Sequence, residues 1–174
     1  MQRWRVPLGF LCAALFLFFA RPSGWTILAG ALVAVPGLGL RAWASGHLRK
    51  NEALATTGPY AYTRNPLYLG SFLIGLGFTI AAGQPVLVFV FIVMILGIYL
   101  PVMRVEAQTL AELFGKKYTR YASEVPLLLP RFSPYRDYDN EFDRSLYLRY
   151  REYRAAVGAV VAWALLAVKA IYFK

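Results

Sequence analysis

With 174 residues, 59% of them hydrophobic and only 16% charged, and a positive mean hydropathy, the chain is too apolar for an ordinary soluble domain and reads as a membrane protein. Its net charge of +10 does not form a nucleic-acid-binding stripe, because the basic residues flank apolar runs; membrane lipids are the partners they fit, and nucleic acid is set aside. The single Cys12 excludes a disulfide framework or a cysteine-based zinc site.

Five apolar runs follow one another: Val6 to Ala20, Trp25 to Leu40, Leu67 to Ala82, Val86 to Val102 and Ala155 to Phe173. Several fall slightly short of the ~20 residues that span a bilayer, and Arg3, Trp4, Arg5, Arg21, Trp25 and Trp43 at their ends extend them to the headgroup level. The first run is read as a span and not a cleaved signal, since Phe18 and Ala20 make a poor small-x-small site. The fold expected is therefore all-α and polytopic, with about five transmembrane helices. A single membrane domain covers residues 1–174, divided into a core over 36–130, a connector with an interfacial helix over 131–154 and a last transmembrane helix over 155–174.

The long segment after the fourth run predicts a helix from Val105 to Ala122 broken near Gly115, then extended chain through Pro126, Pro130 and Pro134. A second helix is expected from about Asn140, with Phe142, Leu146, Tyr150 and Tyr153 opposite Arg144, Arg149, Arg151 and Arg154, lying in the interface and running into the last span. A cytoplasmic N-terminus puts sixteen of the nineteen Lys and Arg inside, leaving only Arg21, Lys169 and Lys174 outside. That orientation sets residues 41–65 and 103–154 on one cytoplasmic face and the C-terminus on the opposite side. No carboxylate lies inside an apolar run, which argues against a proton- or ion-coupled transporter.

The segment from Gly58 to Gly70 is the densest in constrained backbone and aromatic rings. Pro59 and Pro66 both force extended geometry on the residue before them, so the segment is an ordered turn leading into a helix that starts at Pro66. There the exposed N–H groups and the Arg64 guanidinium favour a carboxylate, while Tyr60, Tyr62 and Tyr68 surround a flat or cationic group; the alternative is an aromatic belt with a snorkelling arginine. Gly70, Gly75 and Gly77 permit close approach of another helix or of a ligand.

Gly58-Pro59-Tyr60, Arg64-Asn65-Pro66, Tyr68 and Gly70 are followed by Arg104, Glu106, Leu110, Phe114-Gly115, Tyr118, Tyr121 and Val125-Pro126. In this order the two blocks resemble the isoprenylcysteine carboxyl methyltransferase and phospholipid methyltransferase group of integral membrane enzymes, over about residues 36–130. The resemblance implies methyl transfer from S-adenosylmethionine, with S-adenosylhomocysteine as product, to a lipophilic membrane-embedded acceptor. It implies a cofactor site of Tyr60, Tyr62, Arg64, Asn65, Pro66, Tyr68, Gly75, Gly77, Glu106 and Tyr118, with Arg64 on the cofactor carboxylate and Glu106 on its ammonium or ribose. Two positions depart from the group's pattern: Asn65 stands where carboxyl methyltransferases often have histidine, and Glu106 is followed by Ala107 where the pattern has a second glutamate.

Methyl transfer is an in-line displacement on a carbon activated by positive sulfur, so it needs alignment and exclusion of water and no metal. The single His47 is the candidate proton acceptor for an ammonium substrate, which gives a catalytic set of His47, Arg64 and Glu106. Arg41, Arg49 and Lys50 are read as snorkelling to lipid phosphate, and a structural pairing of Glu106 with Arg104 or Arg64 is the plainer alternative for that acid. Two other functions stay open, an NADPH-dependent membrane reductase resembling the sterol reductases and a non-catalytic membrane interaction protein.

Overall fold

The first complete helix, α1 (Gly24–Ser45), starts where a capping box forms. The Ser23 side chain accepts from the Thr26 N–H, and the Thr26 hydroxyl accepts from the Ser23 N–H. The computed structural model describes residues 16–49, 52–135 and 142–172, all helix, turn and loop, with no strand among them. Residues 16–19 are helical, and the part of the first apolar run before residue 16 lies outside the described residues. Three helical stretches are long and apolar enough to cross a membrane, Gly24–Ser45, Pro85–Phe114 and Tyr153–Tyr172, and a shorter apolar helix covers Pro66–Ala81. The chain is thus an all-helical membrane protein.

Helix α2 (Pro66–Ala81) packs against α1 through glycines. A Cβ on Gly77 would sit 2.5 Å from the Gly30 carbonyl oxygen, and one on Gly37 would sit 2.7 Å from that of Gly70. Between lipid-immersed helices there is no hydrophobic gain from association, so backbone approach of this kind is what gives the pair its contact. The turn to the next helix is short, with Gly83 at φ 67 against the Arg21 carbonyl and the Arg21 N–H donating to the Ala82 carbonyl at 2.7 Å.

Helices α3 (Pro85–Met94) and α4 (Leu100–Phe114) are one rod joined through a π-turn at Ile95–Tyr99. Pro101 explains the turn: its ring lacks an N–H and crowds the carbonyl four residues earlier, and the widened turn just ahead of it relieves that crowding. The break expected near Gly115 is present at φ 52, and α5 (Lys116–Glu124) follows it. The separate helix expected from Val105 is instead the end of the rod. At ~1.5 Å per residue the rod outreaches the ~30 Å hydrocarbon layer, so its last turns, Glu106 among them, project from one end.

Tyr118, Tyr121 and Val125 form a small core at that end, packed with Leu54, Leu110, Phe114 and Tyr135. The interfacial helix is shorter than its pattern suggests. Helix α6 (Arg144–Arg149) is capped by Asp143, whose carboxylate accepts from the Ser145 N–H at 2.8 Å and is held below the usual carboxylate range by its hydrogen bonds to Ser145. It does not run into the last span, because Arg151 adopts a left-handed φ of 55 before α7 (Tyr153–Tyr172) begins. Leu166 of α7 is buried against Ala20, Ala81 and Ala82, and Trp163 packs on Phe78. Lys169 caps the 16–19 stretch by donating to the Leu17 and Phe18 carbonyls.

Candidate active site

The turn at Gly58–Ala61 exists because Gly58 takes a φ of 55 and the His47 ring occupies the space where its Cβ would be, at 2.7 Å. His47 itself is anchored through Nδ1 to the Trp43 carbonyl at 3.0 Å and lies edge-on to Phe142. Tyr60 is buried, and its carbonyl accepts from the Tyr121 hydroxyl at 2.7 Å. Burial raises both phenols above their ordinary value, with nearby Arg64 pulling Tyr121 the other way.

The chain from 61 to 65 is sewn to the proline-rich segment 126–135. The Arg64 N–H donates to the Pro126 carbonyl at 3.0 Å, the Asn65 amide to Leu127 at 2.9 Å and the Thr63 hydroxyl to Leu128 at 2.9 Å. Coming the other way, the Arg131 N–H donates to the Tyr62 carbonyl at 2.9 Å and the Tyr135 N–H to that of Ala61 at 3.0 Å. The Asn65 amide N–H is thereby committed to holding this loop. Pro66 is buried as the first residue of α2.

Arg64 is aimed differently. Its Nη1 donates to the Tyr118 hydroxyl at 3.2 Å, while its Nε is buried without a hydrogen-bond partner, and no carboxylate pairs with it among the described residues. One helical turn further on, the Tyr68 hydroxyl donates to Glu106 Oε2 at 3.0 Å, and the Tyr68 ring meets Tyr99 edge-on at 5.6 Å. Glu106 is exposed and bound to a tyrosine, so the alternative pairing with Arg104 or Arg64 is not formed. The two blocks of the sequence therefore meet at one end of α2 and α4, through side-chain contacts of Arg64 with Tyr118 and Tyr68 with Glu106 and through the Tyr60 carbonyl with Tyr121 and the Arg64 N–H with Pro126.

The remaining residues expected at the site are distributed. Tyr62 lies beside Trp43, with ring centroids 6.4 Å apart. Gly77 is filled by Gly30 and Ala34 of α1, which accounts for it as a packing glycine. Gly75 faces the Phe91 ring and lines a cavity of about 380 Å³. Arg41, Ser71, Met94, Ile95 and Tyr99 share that lining.

Arg41 corrects the expectation that it snorkels to lipid. Its guanidinium grips Glu152 through both carboxylate oxygens at 2.8 and 2.9 Å and also donates to the Ser71 hydroxyl. A bidentate fork on a carboxylate is a strong, directional pairing, and it commits this guanidinium to the protein. Arg49 is exposed, and Lys50 lies outside the described residues. Arg41, Ser71, Tyr99 and Glu152 carried no motif; the one signal for Glu152 is that it is a single acid within a run of arginines. Among the described residues no group of three or more His, Cys, Asp or Glu is placed to hold a metal ion.

A helical membrane protein with an arginine at a helix start that no carboxylate pairs among the described residues, and a tyrosine-bound glutamate beside it, is the class this geometry defines. The phospholipid methyltransferase family model matches residues 23–117, and the chain belongs to that family. It is 34% identical over 145 residues to the cobalt-zinc-cadmium resistance protein CzcN of Cupriavidus metallidurans, covering 76% of this chain and 64% of that one. It is 33% identical over 150 residues to the nickel-cobalt-cadmium resistance protein NccN of Alcaligenes xylosoxydans xylosoxydans, covering 76% and 65%. Over 81 residues it is 32% identical to the protein-S-isoprenylcysteine O-methyltransferase of Schizosaccharomyces pombe, covering 47% and 34%. The chain spans a little under two thirds of the length of the two resistance proteins. No solved structure matches it.

Proposed function

We propose that the protein is an S-adenosylmethionine-dependent methyltransferase acting on a lipophilic acceptor held in the membrane. The observation that carries this reading is Arg64: a guanidinium at the start of α2 whose Nε is buried and unpartnered and with which no carboxylate pairs among the described residues. An orphaned charged donor of this kind is costly unless a ligand anion completes it. The carboxylate of S-adenosylmethionine fits Arg64, and its ammonium or ribose hydroxyls fit the exposed Glu106. When bound, the cofactor supplies a methyl group on positively charged sulfur.

Tyr118 orients the Arg64 guanidinium, and Tyr68 fixes the Glu106 carboxylate by donating to one of its oxygens. The turn at Gly58–Ala61, braced by His47 and Tyr121, keeps Arg64 in place. The apolar cavity beside Tyr99 supports a lipophilic acceptor approaching from the bilayer. The bias of basic residues supports a cytoplasmic side for this end of the bundle. The isoprenylcysteine methyltransferase relatives support the same activity.

The test is calorimetric titration of the detergent-purified protein with S-adenosylhomocysteine, S-adenosylmethionine and NADPH. Adenosyl ligands are expected to bind, and Arg64→Ala and Glu106→Gln each to weaken them by roughly tenfold or more, the loss of one charge-assisted contact. Failure of both adenosyl ligands to bind, or binding of NADPH in their place, overturns the assignment.

A further inference from the structure

The proline-rich segment 126–135 shows two faces. Its inner face is spent on the candidate site: the carbonyls of Pro126, Leu127 and Leu128 accept from Arg64, Asn65 and Thr63, and the Arg131 and Tyr135 N–H groups return to Tyr62 and Ala61. Its outer face is apolar and, among the described residues, uncovered. Phe132 is fully exposed and Leu129 is 74% exposed, while Leu127 and Leu128 are half-buried. A phenylalanine wholly in water forfeits about 2 kcal/mol of burial, and two such residues three positions apart on a proline-braced loop need an apolar neighbour.

The level of this loop identifies the neighbour. Tyr62, which the Arg131 N–H contacts, lies beside Trp43 at the end of the membrane-length helix α1, and α2 begins a few residues later at Pro66. A half-exposed Trp and Tyr at such a helix end mark the headgroup layer. Phe132 stands one residue from that contact. Between Leu129 and Phe132, Arg131 is folded back on the loop, donating to the Glu124 carbonyl at 3.2 Å and to Ser133 at 3.3 Å, so the two apolar side chains project while the cation stays at their base. This is the order of groups found where a loop dips into a bilayer surface: apolar tip, then cation at phosphate level.

We propose that the proline-rich segment 126–135 is a membrane-inserting loop, with Leu129 and Phe132 entering the headgroup–acyl boundary of the leaflet that borders the candidate site. The occupant of this surface is lipid. The loop then ties the rim of the site to the bilayer in which a lipophilic acceptor resides, but the placement itself does not depend on which reaction the site performs.

The test uses Leu129→Cys and Phe132→Cys, each in a Cys12→Ala background, labelled with a nitrobenzoxadiazole fluorophore and reconstituted in phosphatidylcholine vesicles with about a quarter phosphatidylglycerol. Ser123→Cys, on the exposed side of α5, is the water reference. The 129 and 132 probes are expected to emit to the blue of the 123 probe and to be quenched at least about twofold more by a lipid nitroxide near the headgroup. Because Phe132 is fully exposed, its replacement leaves no cavity, and unaltered melting of the labelled protein checks this. Probes at 129 and 132 that match the 123 probe in emission and quenching overturn the proposal, whether the surface then faces water or another protein.

Discussion

Gly75 and Gly77 are two residues apart on one helix and separate sharply when a methyl group is added to each. On Gly77 the new Cβ meets the Gly30 carbonyl oxygen at 2.5 Å, Ala34 Cβ at 2.7 Å and Ala34 N at 2.8 Å. Two of these are backbone, so relief requires α1 and α2 to separate by most of an ångström along a face that also includes Gly37 against Gly70. A gap of ~0.5–1 Å forfeits a quarter to a half of each dispersion contact, and overpacking of this kind costs about 1–3 kcal/mol. The better helix propensity of alanine returns up to ~1 kcal/mol, leaving a net loss near 1–2 kcal/mol, or about 2–8 °C in a chain of this size. On Gly75 the three atoms nearest the Cβ all belong to the Phe91 ring, Cε2 at 2.3 Å, Cζ at 2.6 Å and Cδ2 at 3.4 Å. That is the far edge of a ring that turns into the neighbouring cavity, so Gly75→Ala is expected to melt within about 1 °C of the parent, since ring rotation is cheap and propensity improves. The assay is a thermal melt of both variants in one detergent. Equal melting temperatures for the two variants would refute the packing assigned to Gly77.

The Arg41–Glu152 pair is mostly buried, with side chains 22% and 14% exposed, so Arg41→Ala strands a carboxylate and is expected to cost about 2–4 kcal/mol, while Arg41→Ala with Glu152→Ala recovers much of it; a double-mutant cycle by thermal melting that shows no coupling counts against the pair. Burial raises the Tyr60 and Tyr121 hydroxyls from 10.0, so the folded state keeps their protons longer than the unfolded chain. Stability is therefore full below pH 10.0 and falls above it, by up to ~1.4 kcal/mol per pH unit for each group. Melts across the alkaline range should show this decline, and Tyr121→Phe should lessen it; an unchanged slope in that variant means Tyr121 ionises as freely folded as unfolded.

The helix start at Pro66 and the break at Gly115 were legible because each rests on local chemistry: a proline at a first helical position and a glycine able to take φ 52. The two motif blocks were legible as a pair because order and spacing survive without knowledge of contacts. What the sequence could not show is how a residue with two possible partners chooses between them. Gly75 and Gly77 look alike until Phe91 stands opposite one and Gly30 opposite the other. Asn65 reads as a ligand residue by position, yet its amide is taken by Leu127, 62 residues away.

Arg41 is the clearest case. An arginine one residue beyond an apolar run reaches lipid phosphate or a protein acid equally well in sequence terms, and the acid it takes is 111 residues distant. That choice also accounts for the interrupted interfacial helix. A left-handed Arg151 costs about 1–3 kcal/mol and lies immediately before the glutamate gripped by Arg41 and close to the cavity-lining Ala155. A regular helix through 144–172 would have kept the amphipathic pattern and given Glu152 a different direction. The break at Arg151 is therefore best understood as the backbone cost of seating Glu152 on Arg41, and a periodicity argument, which assumes that each helix is continuous, has no means of finding it.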